Sequence, residues 1–119
     1  MRNRKFVLLF SLFFLFSAFL IAQDTLQTGS ISGKVVDEDE NPLPGVNITI
    51  SSSALIEGTK SVVSTNNGSF RFVFLPVGSY DVTFELSGFK KLIRQDVKVA
   101  VRKTTNINAT LELSLIHIS

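Results

Sequence analysis

The sequence predicts an all-β fold, a seven-stranded antiparallel β-sandwich, and three observations carry that expectation. Apolar and polar residues alternate with period two through most of residues 29–113. Clusters of Pro, Gly, Asn and acidic residues interrupt the alternation where turns are needed. Outside the first 22 residues no stretch carries an apolar stripe of helical period. Strands with one apolar and one polar face must be covered by a second layer, so two packed sheets follow.

Residues 1–22 stand apart from that pattern. Arg2, Arg4 and Lys5 make a basic start, residues 6–22 are apolar apart from Ser11 and Ser17, and Gln23 and Asp24 restore polarity. This order predicts a secretory signal peptide cut after Ala22. The competing reading is an uncleaved membrane anchor, because 17 residues lie at the short limit for a span. The short basic start and the polar segment directly after Ala22 favour cleavage. No Cys follows the cut, which excludes a lipid-anchored export signal.

Three of the 12 basic residues lie in this leader, leaving nine against ten acidic ones in the remainder. Nucleic-acid binding therefore has no support from charge, since there is no net positive field to displace counterions from phosphates. Six of the 11 Phe also belong to the leader. With no Cys, the exported part must be held by its apolar core, and about 85 residues suffice for one.

The elements follow in order. Residues 23–28 are a polar lead-in. In the first strand Ile31, Gly33 and Val35 share a face, with Ser32, Lys34 and Val36 opposite. Residues 37–45 form a turn in which Pro42 and Pro44 cannot donate ladder hydrogen bonds. Val46, Ile48 and Ile50 alternate with Asn47, Thr49 and Ser51; residues 52–58 are an irregular connection; residues 60–65 form a third, weaker strand. Asn66-Asn67-Gly68 is a turn signal, since Asn and Gly tolerate positive φ. Phe70, Phe72 and Phe74 are expected on one core-facing side. Pro76-Val77-Gly78 turns the chain, and Tyr80, Val82, Phe84 and Leu86 then alternate with Asp81, Thr83, Glu85 and Ser87. Gly88-Phe89 closes that strand. Ile93, Val97, Val99 and Val101 are expected along one side of the sixth strand, with Arg94, Asp96, Lys98 and Arg102 on the other. Ile107, Ala109, Leu111 and Leu113 form the last strand. Beyond it the alternation breaks at Leu115-Ile116. Residues 113–119 read like a translated sequencing adapter, so a reading frame that continues past residue 113 is expected.

Chemistry-bearing groups are sparse. Asp37-Glu38-Asp39-Glu40 is a run of four carboxylates, but in an extended chain they alternate direction, whereas calcium needs six or more converging oxygens. A solvated turn is the expectation. Asp81 and Glu85 lie on a solvent face with no acidic partner at a defined separation. The one histidine, His117, is in the tail, so His-based zinc sites, serine triads and Cys-His pairs cannot be assembled within the domain. No catalytic, cofactor-binding or metal residue is expected. A Lys-Asn amide crosslink would draw on Lys34 with Asn106 or Asn108, but all three fall on the polar faces, and the reaction needs a buried pair. Lys90, Lys91, Arg94, Lys98, Arg102 and Lys103, opposed by Asp96, are the best candidate interaction face, for an acidic partner or anionic lipid; a charged edge strand that resists aggregation has the same composition. Asn47, Asn67 and Asn108 sit in glycosylation acceptor triplets that matter only in a eukaryotic secretory pathway.

Gly33-Lys34-Val35-Val36-Asp37, Pro42-Leu43-Pro44-Gly45, Gly68-Ser69-Phe70, Leu75-Pro76-Val77-Gly78-Ser79-Tyr80 and Gly88-Phe89 together resemble the carboxypeptidase regulatory-like domain. That family is a transthyretin-like (prealbumin-like) Greek-key sandwich grouped with carbohydrate-binding-like folds, and the resemblance covers residues 29–113. One departure is Ser64-Thr65, where the family often has Thr-Asp before the Asn-Gly turn. These are turn and core residues, so the resemblance implies a fold more than an activity. The zinc peptidase of the family's name is not implied, for want of ligands. A domain of this kind directly behind a signal peptide resembles the N-terminal extension of TonB-dependent outer-membrane receptors. Residues 54–60 and 86–90 carry that likeness. The implied function is a non-enzymatic accessory or docking domain of an exported bacterial nutrient receptor, in the periplasm or outer membrane; the alternative is a carbohydrate-binding or adhesive surface module. The implied partners are the rest of its own receptor chain or another envelope protein, with a glycan as a further candidate, no nucleic acid, and membrane contact only through the leader or a downstream barrel.

Overall fold

The computed structural model describes residues 27–115. The leader with its cut at Ala22, most of the lead-in, and His117 lie outside them.

Each stretch of period-two alternation becomes a strand. The strands are β1 (Thr28–Val36), β2 (Asn47–Ser51), β3 (Thr59–Val63), β4 (Ser69–Pro76), β5 (Gly78–Glu85), β6 (Leu92–Val99) and β7 (Thr104–Thr110). They form two sheets, ordered β4-β1-β7 and β3-β2-β5-β6. Between the sheets Ile31, Val35, Ile48, Ile50, Val82 and Phe84 are completely buried. Burying side chains of this size contributes about 1.5–3 kcal/mol each. Phe70 of the smaller sheet meets Phe84 of the larger edge to face, with ring centroids 5.6 Å apart, and so ties the two layers together. Every buried side-chain polar atom among the described residues has a hydrogen-bond partner. The core closes on itself within residues 27–115.

One pairing departs from the antiparallel expectation: β1 and β7 are parallel neighbours, in register from Ser30↔Thr104 to Val36↔Thr110. The reason is parity. The chain reverses at each of six connections, so the seventh strand again runs in the direction of the first, and it docks on the free side of β1. Gly33 makes that approach possible. A Cβ there would stand 1.6 Å from the carbonyl oxygen of Ile107.

Two bulges overturn the expected facing of single residues. Gly29 pairs with Leu75 and Ile31 with Phe72, so Val73 and Phe74 together oppose Ser30. Phe74 takes φ 55°. The extra residue switches the strand's parity: Leu75 is buried, whereas Phe74, expected beside Phe70 and Phe72 in the core, is 77% exposed. In β6 the pairs Val82↔Arg94 and Tyr80↔Val97 leave Gln95 and Asp96 opposite Asp81, with Asp96 at φ 60°. Leu92 therefore packs against the core and Ile93 points outward, the reverse of the expectation. Val101 is exposed in the β6–β7 turn, and Leu113 lies past the end of β7 and is also exposed.

Loops at the two ends are pinned by side chains. Ser64, just after β3, is buried; its Oγ accepts a hydrogen bond from Val46 N at 2.9 Å and donates one to Leu43 O at 2.7 Å. The hydroxyl thereby holds the end of the Pro-rich turn onto the third strand. The Asn66-Asn67-Gly68 turn closes through Thr65, whose carbonyl accepts from Gly68 N at 2.8 Å and whose Oγ1 accepts from Ser69 N at 3.3 Å. Gly68 has φ 75°. At the opposite end the Tyr80 phenol donates to Pro76 O at 2.6 Å and fixes the β4–β5 turn. Burial of that phenol raises its pKa.

Candidate functional site

The sandwich has two ends of different chemistry. The leading end, where β1, β5 and β7 start, carries loop 52–58, the β4–β5 turn at Val77 and the β6–β7 turn of residues 100–103. The trailing end carries the acidic turn, the Asn66-Asn67 turn, residues 86–91 and the last described residues.

At the trailing end the acidic run is organised as a solvated loop. Asp37 Oδ1 accepts from the backbone N of Asp39 and of Asn41, both at 2.9 Å, and the Asp37 carbonyl accepts from Glu40 N at 3.0 Å. Glu40 is held at φ 64°. The bond from Asn41 N, with that from Asp39 N, holds the Asp37 carboxyl below the usual carboxylate range. Glu38, Asp39 and Glu40 are exposed, and among the described residues no group of three His, Cys, Asp or Glu is placed to hold a metal.

The six basic residues expected to form one face are distributed along the whole length of the sandwich, because β6 runs from one end to the other. Lys90 pairs with Glu112 at the trailing end, 3.5 Å away. Arg94 lies on the core side of the β6 edge and its Nη2 donates to Asn108 O at 3.4 Å. Lys98 pairs with Asp96 at 2.8 Å. Asp96 also accepts from Ser79 Oγ at 2.6 Å, and the hydrogen bond from Lys98, then that from Ser79, lower its pKa. Arg102 and Lys103 lie in the β6–β7 turn of the leading end, with Lys98 one residue short of the end of β6.

There they meet residues distant in sequence. Phe74, Arg71, Arg102, Lys103 and Thr28 border one shallow depression of about 240 Å³. Val77, Val101 and Ile56 lie on neighbouring turns of the same end, with Ile56 fully exposed. No local pattern signals this grouping, because two of its members owe their outward placement to the β4 bulge and to an irregular loop.

The outer face of β4-β1-β7 holds a second depression, of about 440 Å³, bordered by Lys34, Arg71, Ser32, Asn106 and Asn108. Lys34 and Asn108 are register partners across β1 and β7, and both are exposed. Asp81 and Glu85 lie on the outer side of β5, where Asp81 accepts from Asp96 N at 3.1 Å. Asn47 and Asn67, like Asn108, are exposed. Among the described residues no helix is long and apolar enough to cross a membrane.

Two sheets in this order, with a Pro-rich first turn and a tyrosine-closed β4–β5 turn, define a small transthyretin-like β-sandwich. The carboxypeptidase regulatory-like domain family matches residues 30–112, and the chain belongs to it. A TonB-dependent transporter, Oar, from Myxococcus xanthus is 31% identical over 86 residues; the match covers 71% of this chain and 8% of the transporter. Among solved structures, the TIE protein of Bacillus anthracis superposes with a TM-score of 0.64 at 19% identity, covering 73% of this chain and 17% of that one. A candidate carbohydrate-binding protein of Bacteroides uniformis superposes with a TM-score of 0.56 at 22% identity, covering 71% of this chain and 41% of that one. At these identities the solved structures share the fold.

Proposed function

We propose that this sandwich is a non-enzymatic accessory or docking domain at the N-terminus of an exported TonB-dependent outer-membrane receptor, working in the periplasm against the rest of its own chain or another envelope protein. The observation that carries this reading is the 31% identity to a TonB-dependent transporter over 86 residues. The matched region is a small part of that transporter, as expected of an appended domain. The surface chemistry is compatible: the titratable groups of the described residues are spread over loops and outer faces, not gathered in a cleft.

The test is the sequence beyond residue 113 in the same gene, followed by an in-frame deletion of residues 27–113. A plug followed by alternating barrel strands, with altered uptake but normal barrel assembly in the deletion strain, is the expected result. Further sandwich repeats or a hydrolase downstream would sink it. The carbohydrate-binding alternative draws on the polar depression around Arg71, Asn106 and Asn108. Titration of the domain with a panel of polysaccharides separates the two, since absence of heat across the panel removes the alternative.

A further inference from the structure

We propose that the leading end of the sandwich docks onto an anionic phospholipid surface, with the apolar tips Ile56, Phe74, Val77 and Val101 entering the interface and Arg102 and Lys103 meeting the head groups.

Five of the nine large apolar side chains exposed on the described residues belong to this end or its rim: Ile56, Val73, Phe74, Val77 and Val101, the first at 104% and Phe74 at 77% exposure. They come from three separate connections and one bulge, and so stand as separate tips on one end of the sandwich. A fluid bilayer moulds itself around such tips, whereas a rigid protein partner needs a continuous flat or concave patch. Phe74 is the most telling member. The bulge is required to turn Leu75 inward, but nothing in the fold requires a large aromatic at its φ 55° position, which Gly or Asn would fill with less strain. Backbone strain spent on presenting an apolar ring to solvent is the pattern of a working surface.

Charge selects the partner's sign. Arg102 and Lys103 adjoin Phe74, and Arg71 borders the same depression; neither Arg102 nor Lys103 has a salt-bridge partner among the described residues. Among the described residues the acids near this end are Glu57, on the same loop as Ile56, Asp81, which receives a backbone hydrogen bond from Asp96, and Asp96, which is paired with Lys98. The trailing end carries the opposite sign: the four carboxylates of residues 37–40 and Glu112 outnumber Lys90 and Lys91, of which Lys90 pairs with Glu112. A negative surface therefore attracts one end and repels the other, which orients the domain with its leading end down.

This inference goes beyond the receptor assignment and does not depend on it: a gene with no barrel would sink that assignment and leave the outcome of the following experiment unchanged. Residues 27–115 are mixed with vesicles of phosphatidylcholine alone or with about one third phosphatidylglycerol, at about 0.15 M salt, and spun through a flotation gradient. Co-flotation with the anionic vesicles, and little with the neutral ones, is expected. Arg102→Glu with Lys103→Glu lowers the partition coefficient about 25-fold or more, from roughly fivefold per cation removed. Ile56→Ser with Phe74→Gly lowers it about tenfold or more, while thermal melting shows both pairs folded. Equal flotation with neutral and anionic vesicles, or unchanged partition in either folded double variant, overturns the proposal. So does a protein that captures this end while anionic vesicles do not.

Discussion

Replacing Ser64 by Ala removes one oxygen atom and is expected to cost about 2–4 kcal/mol. Ser64 is only 5% exposed, and its Oγ bridges Val46 N at 2.9 Å and Leu43 O at 2.7 Å. The bond to Leu43 O is worth about 1 kcal/mol, and the Val46 N–H, left buried without an acceptor, costs about 1–3 kcal/mol. Against a total stability of about 5–15 kcal/mol for a domain of this kind, that is a large fraction. The assay is urea denaturation followed by circular dichroism, in which the midpoint falls while the slope stays constant. Ser61→Ala is the control: its Oγ makes a bond of the same 2.9 Å length, to Thr49 Oγ1, but in an exposed setting, and should change stability by less than about 0.5 kcal/mol. A Ser64→Ala loss no larger than the control's would show that water enters and replaces the hydroxyl, and the pinning role of Ser64 would fall.

Gly33→Ala should cost more than about 3 kcal/mol or abolish cooperative melting, because its Cβ would collide with the Ile107 backbone across the parallel β1–β7 pair; near-normal stability would place β7 elsewhere. Phe74→Gly should leave stability unchanged or raise it by up to about 1 kcal/mol, since relief of the positive-φ strain of about 1–2 kcal/mol exceeds the entropic cost of Gly; a clear loss would mean that the exposed ring is packed. Asp37 and Asp96 both have pKa values lowered below 3.8 by folding, so their contribution is present above that value and is lost as pH falls through the depressed values. Chemical melts across the acid range should show that decline, and Asp37→Asn with Asp96→Asn should flatten it. Tyr80 is the sole tyrosine, so ultraviolet phenolate absorbance reports it alone. The titration midpoint should lie above 10.0, with the stability from the neutral, buried phenol present below the unfolded value and lost as pH rises through the folded one. A midpoint at or below 10.0 would contradict the burial of that ring.

Strand number and most core positions were legible because they rest on local alternation: Ile31 and Val35, Ile48 and Ile50, or Tyr80, Val82 and Phe84 each follow from period two within one strand. The turns at residues 66–68 and 76–78 were legible from Asn, Gly and Pro for the same reason. Phe74, Ile93 and the grouping of the basic residues were not. A single extra residue in β4 or β6 reverses the facing of everything beyond it, and its location depends on the partner strand's register, which no local pattern encodes. Ser64 was equally silent, because a buried hydroxyl differs from an exposed one only in having two backbone partners some 20 residues earlier in the chain.

The sequence by itself determined that the chain would be a layered β structure of a recognisable family, because side-chain alternation and turn chemistry act between near neighbours. Tertiary structure alone decided that β1 and β7 run parallel, that the basic residues separate toward opposite ends, and that Arg102 and Lys103 share an end with Phe74 and Ile56. Those outcomes depend on strand order and on bulge position, which are settled only when distant segments pack against one another.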